Sequence, residues 1–331
     1  MNIYVAYTGG TIGMVDSEQG LVPDPDFAQA VEIMLQDDYP NDNMTVYCYE
    51  HLIDSSNARP EDWQIIAQDI QSNWHKYDAF MVLHGTDTMA YSAAALFYCF
   101  QAPTKPIVVT GSQIPLFKTR SDARNNMLGA IEALKNGPNG VFLFFAGRLI
   151  EGNRAHKAHT TELAAFASPN APLRGWLGID WQWSQDVNAS DKQKTDISIP
   201  NMTSGAVTIL PVFPGVSADH WKGLLNSTNL KGAVLLSYGA GNAPDKDQAL
   251  LGLLKTATDN DVVIVNVSQC GSGRVVAGAY AAGSALVKAG VISGKDMTYE
   301  AAFVKLHFLS GLGLSAKEIK LAFDKTLALD T

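Results

Sequence analysis

Short apolar runs recur along the chain, and each is closed by glycine and small polar residues. The runs are Asn2–Tyr7, Met44–Glu50, Ala79–Leu83, Pro106–Thr110, Gly140–Gly147, Ala206–Pro211, Lys231–Ser237 and Val262–Val267. Most are apolar at successive positions instead of alternating, the pattern of strands buried on both faces of a parallel sheet. Between them lie stretches with helical spacing. Pro60 opens one whose apolar positions Trp63, Ile66, Ala67, Ile70 and Trp74 share a stripe. Tyr91–Tyr98 is alanine-rich, Lys246–Thr258 is helical, and Asp24-Pro25, Arg120-Ser121-Asp122 and Ser217 or Asp219 read as helix starts. This alternation predicts an α/β protein. The polar stretch 184–204 has no period and interrupts it, with Trp176, Trp181 and Trp183 just before. The expected organisation is therefore two α/β domains, each a mostly parallel sheet flanked by helices. The larger spans 1–184, a linker 185–204, and the smaller 205–331.

The strand ends carry the candidate chemistry, because ligands of open α/β sheets bind outside the carboxyl ends of the strands. The first run ends in Thr8-Gly9-Gly10-Thr11-Ile12-Gly13, the second in Asp54-Ser55-Ser56-Asn57, the third in His84-Gly85-Thr86-Asp87-Thr88 and the fourth in Gly111-Ser112-Gln113. Thr11 also reads as a turn residue, Asp54-Ser55-Ser56-Asn57 as a turn with a helix cap, and Thr86 or Asp87 as the cap of the alanine-rich helix. The segment Asp16–Gly20 is polar and reads as a loop, a candidate lid. No glycine pattern here fits a dinucleotide fingerprint, a phosphate-binding loop or a serine nucleophile elbow.

Composition narrows the partners. The chain has 331 residues and a formal net charge of −9, with no run of lysine and arginine. Nucleic acid and anionic membranes are poor candidates on that basis. No apolar run approaches the ~18 residues of a membrane span. The three cysteines Cys48, Cys99 and Cys270 are far apart and no basic, apolar leader is visible, so a cytoplasmic location is expected. His156 and His159 lie three apart, but a metal site would need a third ligand such as His84 from elsewhere, and none is expected. Lys157 stands between them. Brought near Asp87, it could form an ion pair that serves proton transfer.

A hydroxyl becomes a nucleophile when a base takes its proton. Thr86, Lys157 and Asp87 supply that base if the lysine shares its proton and the aspartate orients it, which is triad logic with lysine in the histidine role. Backbone N–H groups of the glycine turns could hold an oxyanion. These parts suit acyl transfer at an amide or ester.

Two stretches carry a resemblance: Tyr7-Thr8-Gly9-Gly10-Thr11-Ile12-Gly13-Met14 and Val82-Leu83-His84-Gly85-Thr86-Asp87-Thr88-Met89-Ala90-Tyr91. Asp54-Ser55-Ser56, Thr110–Pro115, Arg120-Ser121-Asp122, Gly152-Asn153-Arg154 with Lys157, and Tyr238–Pro244 support it. The chain resembles the bacterial-type L-asparaginases, most closely their cytoplasmic type I branch, over nearly its whole length. The resemblance implies hydrolysis of L-asparagine to L-aspartate and ammonia without cofactor or metal. It makes Thr11 the nucleophile, with a β-aspartyl ester intermediate, and Thr86, Asp87 and Lys157 a second catalytic group. It assigns Asp54, Ser55 and Ser56, with Thr86 and Asp87, to substrate binding. It implies a homotetramer, a dimer of dimers, with Asn242 a candidate contribution to the neighbouring subunit's site.

The chain also departs from the family. Leu21 stands in the lid where members usually carry tyrosine. Some type I enzymes have an allosteric asparagine site. Cys270 matches one of its residues, Leu236 replaces an arginine that would hold the effector carboxylate, and His156 replaces a hydroxyl residue. An apolar side chain cannot make arginine's bidentate contact, so asparagine allostery is expected to be weak or absent. The alternatives are an amidase acting on L-glutamine, D-asparagine or another small amide, the amidase subunit of a tRNA-amidating complex, and a non-catalytic amino-acid sensor using the same pocket.

Overall fold

The computed structural model describes residues 1–18, 20–184, 195–276 and 281–324. It divides into two compact units, Met1–Ile199 and Pro200–Thr331. Much of the stretch read as a linker, 185–194, lies outside the described residues, whereas Asp196–Ile197 pairs as a strand within the first unit.

The first unit runs β1 (Asn2–Tyr7), β2 (Met14–Ser17), β3 (Gly20–Pro23), α1 (Phe27–Asp38), β4 (Asn43–Cys48), α2 (Pro60–Asn73), β5 (Ala79–Leu83) and α3 (Met89–Cys99). It continues through β6 (Phe100–Gln101), β7 (Ile107–Thr110), α4 (Ala123–Asn136), β8 (Val141–Phe145), β9 (Arg148–Glu151), β10 (His156–Lys157) and β11 (Phe166–Ala167). The last strands are β12 (Gly175–Leu177), β13 (Trp181–Trp183) and β14 (Asp196–Ile197). Among the described residues the main sheet has eight strands in the order β13-β12-β9-β8-β7-β5-β1-β4. The five from β8 to β4 are parallel, as the apolar runs predicted, and β9, β12 and β13 extend the sheet antiparallel.

Both faces are covered. Ile3, Val5, Met81, Leu83 and Val108 pack with Phe27, Val31 and Leu35 of α1 and with Met127, Ile131 and Leu134 of α4. On the other face Trp74, just after α2, stacks on Phe80 of β5 at 5.2 Å. Helix α2 begins where its proline predicts: Asp62 accepts the Arg59 N–H at 2.7 Å, and Trp63, Ile66, Ala67 and Ile70 are buried. Helix α1 starts later than Asp24-Pro25 suggested, because Asp24 instead accepts the Asp26 N–H at 3.0 Å in a turn that leads into the helix. In the stretch expected as a loop, Asp16 and Ser17 belong to β2 and pair antiparallel with Leu21 and Gly20 of β3.

The second unit is built from β15 (Val207–Pro211), α5 (Ala218–Leu225), β16 (Gly232–Ser237), α6 (Gln248–Asp259), β17 (Val263–Ser268), α7 (Ala281–Lys288), β18 (Ile292–Ser293), α8 (Tyr299–Gly311) and α9 (Ala316–Asp324). Its strands pair in parallel in the order β15-β16-β17-β18. Leu210, Leu235 and Ile264 form a core with Trp221 of α5 and with Leu250 and Leu254 of α6.

Candidate active site

The order of the parallel strands selects one place for a site. After β1 the chain adds β4 on one side, then crosses back to add β5, β7 and β8 on the other. The carboxyl ends of β1 and β5 therefore flank the point where the winding reverses, the crevice where such sheets bind ligands. The two hydroxyl-bearing glycine turns sit at these ends. Thr8 donates its N–H and its Oγ1–H to the Leu83 carbonyl at 3.0 and 2.9 Å, and the Ile53 N–H reaches the Thr8 carbonyl at 2.7 Å. Gly10 has φ +94°, and a Cβ there would lie 2.4 Å from the Gly85 backbone. A Cβ on Gly85 would lie 2.4 Å from Ser55 Oγ. The Thr11, Ser55 and Thr86 turns are thus wedged together, and glycine is required because the backbones touch.

Thr86 and Asp87 do not cap α3, as the alternative reading had it. The residue before that helix is Thr88, whose Oγ1 donates to the Ser55 carbonyl at 2.8 Å. Thr86 and Asp87 turn instead to Lys157, whose Nζ lies 2.8 Å from Thr86 Oγ1 and 2.7 Å from Asp87 Oδ1. Lys157 is carried by β10, which pairs with β11 opposite Phe166. Phe166 is buried against Phe145 of β8, ring centroids 5.0 Å apart, and anchors the short hairpin to the sheet. The lysine side chain is 19% exposed and that of Asp87 59%, so the pair sits at the mouth of the crevice with the lysine inside.

Thr86 is also held from its other side. Its hydroxyl lies 3.3 Å from Gln113 Oε1. Gln113 Nε2 donates to the Thr160 and Glu162 carbonyls at 3.2 and 3.1 Å, which fixes the orientation of the amide. The ammonium can only donate, so the Thr86 proton points to Gln113 and its lone pair to Lys157. Asp122 directly precedes α4, as its reading as a helix start expects, and its carboxylate accepts the Gln113 and Ile114 N–H groups, at 3.0 and 2.9 Å, in place of a helix N–H.

Asp54 is committed to its own turn. It accepts the Ser56 N–H at 3.0 Å, the Ser56 hydroxyl at 2.9 Å and the Asn57 amide at 2.8 Å. The backbone donor, with the two side-chain donors, holds its carboxyl below the usual carboxylate range. Ser55 is buried against Gly85, and Ser56 is exposed. Thr11 opens a single turn of 3-10 helix, half-buried, and its hydroxyl makes no hydrogen bond among the described residues. The β2–β3 hairpin follows directly and bears Leu21, 45% exposed. Asp16 ties the hairpin to the loop after β7 through an ion pair with Lys118.

His84 does not join His156 and His159. It is buried, with Nδ1 2.8 Å from the Gly85 carbonyl and Nε2 2.9 Å from Ser92 Oγ, whereas His159 lies 3.7 Å from Glu162. No group of three His, Cys, Asp or Glu side chains among the described residues is placed to hold a metal. The remaining candidates lie in the second unit. Asn242 closes the turn after β16, exchanging backbone hydrogen bonds with Tyr238 at 2.9 and 2.8 Å. Leu236 is half-buried with its carbonyl 2.6 Å from Gln269 Nε2, and Cys270 is exposed.

Comparison with known proteins matches the chain to a family. The profile described as "Asparaginase, N-terminal" matches residues 2–189, and "Glutaminase/Asparaginase C-terminal domain" matches 206–323. The chain belongs to the asparaginase family. L-asparaginase 1 of Escherichia coli is 43% identical over 98% of this chain and 96% of its own length. The crystal structure of L-asparaginase I from Vibrio cholerae superposes with a TM-score of 0.91 and 40% identity, covering 100% of this chain and 98% of that one. The mouse 60 kDa lysophospholipase is 36% identical over 97% of this chain, which covers 61% of that longer protein. The asparaginase profiles span both units, and no described helix is long and apolar enough to cross a membrane.

Proposed function

We propose that this chain hydrolyses L-asparagine to L-aspartate and ammonia, with Thr11 as nucleophile and Thr86, Lys157 and Asp87 as the group that activates water. One observation carries the reading: Lys157 joins Thr86 to Asp87 at the winding reversal, across from the Thr11 turn. The side-chain amide of asparagine lies between the two threonines. Thr11 Oγ adds to its carbon, and the backbone N–H groups of Thr11 and Thr86, which make no hydrogen bond among the described residues, stabilise the oxyanion. The C–N bond breaks, the hydroxyl proton leaves with the nitrogen as ammonia, and a β-aspartyl ester remains. Water held by Thr86 then adds to the ester carbon. The C–O bond breaks, and one water proton returns to Thr11.

Ser55 and Ser56 border the crevice on the side suited to the α-amino and α-carboxylate groups, and Asp87 offers the amine its exposed carboxylate. The active molecule is a homotetramer in which Asn242 of a neighbouring subunit completes the site. The test is ammonia release from L-asparagine and L-glutamine by the wild type and Thr11→Ala. Release from asparagine that is abolished in the variant supports the reading. Faster release from glutamine transfers it to that amide, and binding without release transfers it to a sensor.

A further inference from the structure

We infer that His84 is a positioning residue, which through the Gly85 carbonyl aims the Thr86 N–H at the place where the attacked carbonyl oxygen gains charge. The inference rests on the reading of Thr86 as part of the catalytic crevice. A histidine in this apolar strand end needs a reason, since burial disfavours its charged form and holds its pKa below the ordinary value. A phenylalanine would fill the space without two polar nitrogens. The ring is 2% exposed, and both nitrogens are paired. A carbonyl only accepts, so the proton is on Nδ1 and is donated to the Gly85 carbonyl. Nε2 then accepts from the Ser92 hydroxyl, one turn into α3.

The consequence lies in the next peptide bond. In a trans peptide the C=O and N–H point to opposite sides. Pinning the Gly85 carbonyl toward the core therefore turns the Thr86 N–H away from it. The backbone of 84–85 is already wedged: Cβ atoms built on Gly10 and Gly111 would meet the Gly85 backbone at 2.4 Å and the His84 carbonyl at 2.2 Å. What remains soft is rotation of the Gly85–Thr86 peptide plane, because glycine resists it least. His84 removes that freedom, and Ser92 holds the ring that does so. An oxyanion donor acts through its direction, so the loss should fall on turnover and leave substrate affinity in place.

The experiment compares His84→Phe, His84→Asn and Ser92→Ala by kcat and KM for asparagine, with melting curves alongside. Asparagine's Nδ2 reproduces the Nδ1 donor, and phenylalanine reproduces only the ring. His84→Phe is expected to lose kcat by about 10²-fold, the size of one missing oxyanion donor, with KM within about twofold. His84→Asn should recover most of that loss. A folded His84→Phe with wild-type kcat overturns the inference, as does a His84→Asn that falls as far as His84→Phe. Should His84→Phe not fold, Ser92→Ala decides: a lowered kcat at unchanged KM supports the inference, and wild-type kcat refutes it. Thr86→Ala run beside them separates the two readings, because an active Thr86→Ala refutes the catalytic assignment itself.

Discussion

Replacing Lys157 by methionine separates the chemistry from the fold. Methionine keeps most of the stem and removes Nζ, so the contacts at 2.8 Å to Thr86 and 2.7 Å to Asp87 vanish. Neither partner is stranded. Thr86 still donates to Gln113, and Asp87, 59% exposed, is taken up by water. The stability loss is that of a partly exposed ion pair, about 0–1 kcal/mol. For a unit the size of Met1–Ile199 that lowers the melting temperature by roughly 2–4 °C at most. The kinetic loss is far larger, because a positioned acid–base group contributes ~10²–10⁴ in rate, or roughly 3–5 kcal/mol. Arginine should not rescue, since its planar guanidinium does not fit a point-charge site and does not give up its proton. The assay is steady-state ammonia release, with thermal unfolding of the same samples. A Lys157→Met enzyme with kcat within tenfold of the wild type would refute the role given to the lysine.

Acid should destabilise the protein partly through His84. Its folded pKa lies below the unfolded value near 6.5, so as pH falls through 6.5 the unfolded chain takes up a proton that the folded one refuses. The stabilisation is complete above that pH and is lost below it. His84→Asn should flatten the fall of melting temperature between pH 7 and 5, and parallel curves would count against this. Leu21→Tyr, at an exposed position of β3, should leave the melting temperature unchanged and raise kcat up to about tenfold by restoring the phenol that family members usually carry there. Asparagine saturation should be hyperbolic, because Leu236 offers no charge to an effector carboxylate. A sigmoidal curve at fixed enzyme concentration would overturn that expectation.

The parallel strands were readable because burial on both faces makes them continuously apolar, as Ala79–Leu83 shows. The antiparallel extension was not, because β12 and β13 are three residues each and part of their surface is exposed. The hydroxyl turns are readable as types, and Lys157 as a candidate partner for Asp87, but chain spacing says nothing about a contact across 70 positions. Gln113 and Ser92 were missed as site residues. The only sequence signal for Ser92 is its eight-residue offset from His84, which acquires meaning once a strand end and a helix face each other.

Strand order was the decisive element that hydropathy could not encode, since every buried strand looks alike to its neighbours. The Gly10–Gly85 contact exists because β1 lies directly beside β5, with β4 on the outer side. Inserting β4 between them would keep every motif and every apolar run. It would also move the Thr11 turn from Thr86 by a further strand spacing, about 4.8 Å. A reacting carbonyl must touch nucleophile and oxyanion donor at about 3 Å, so the same residues in that order would form a fold without a site.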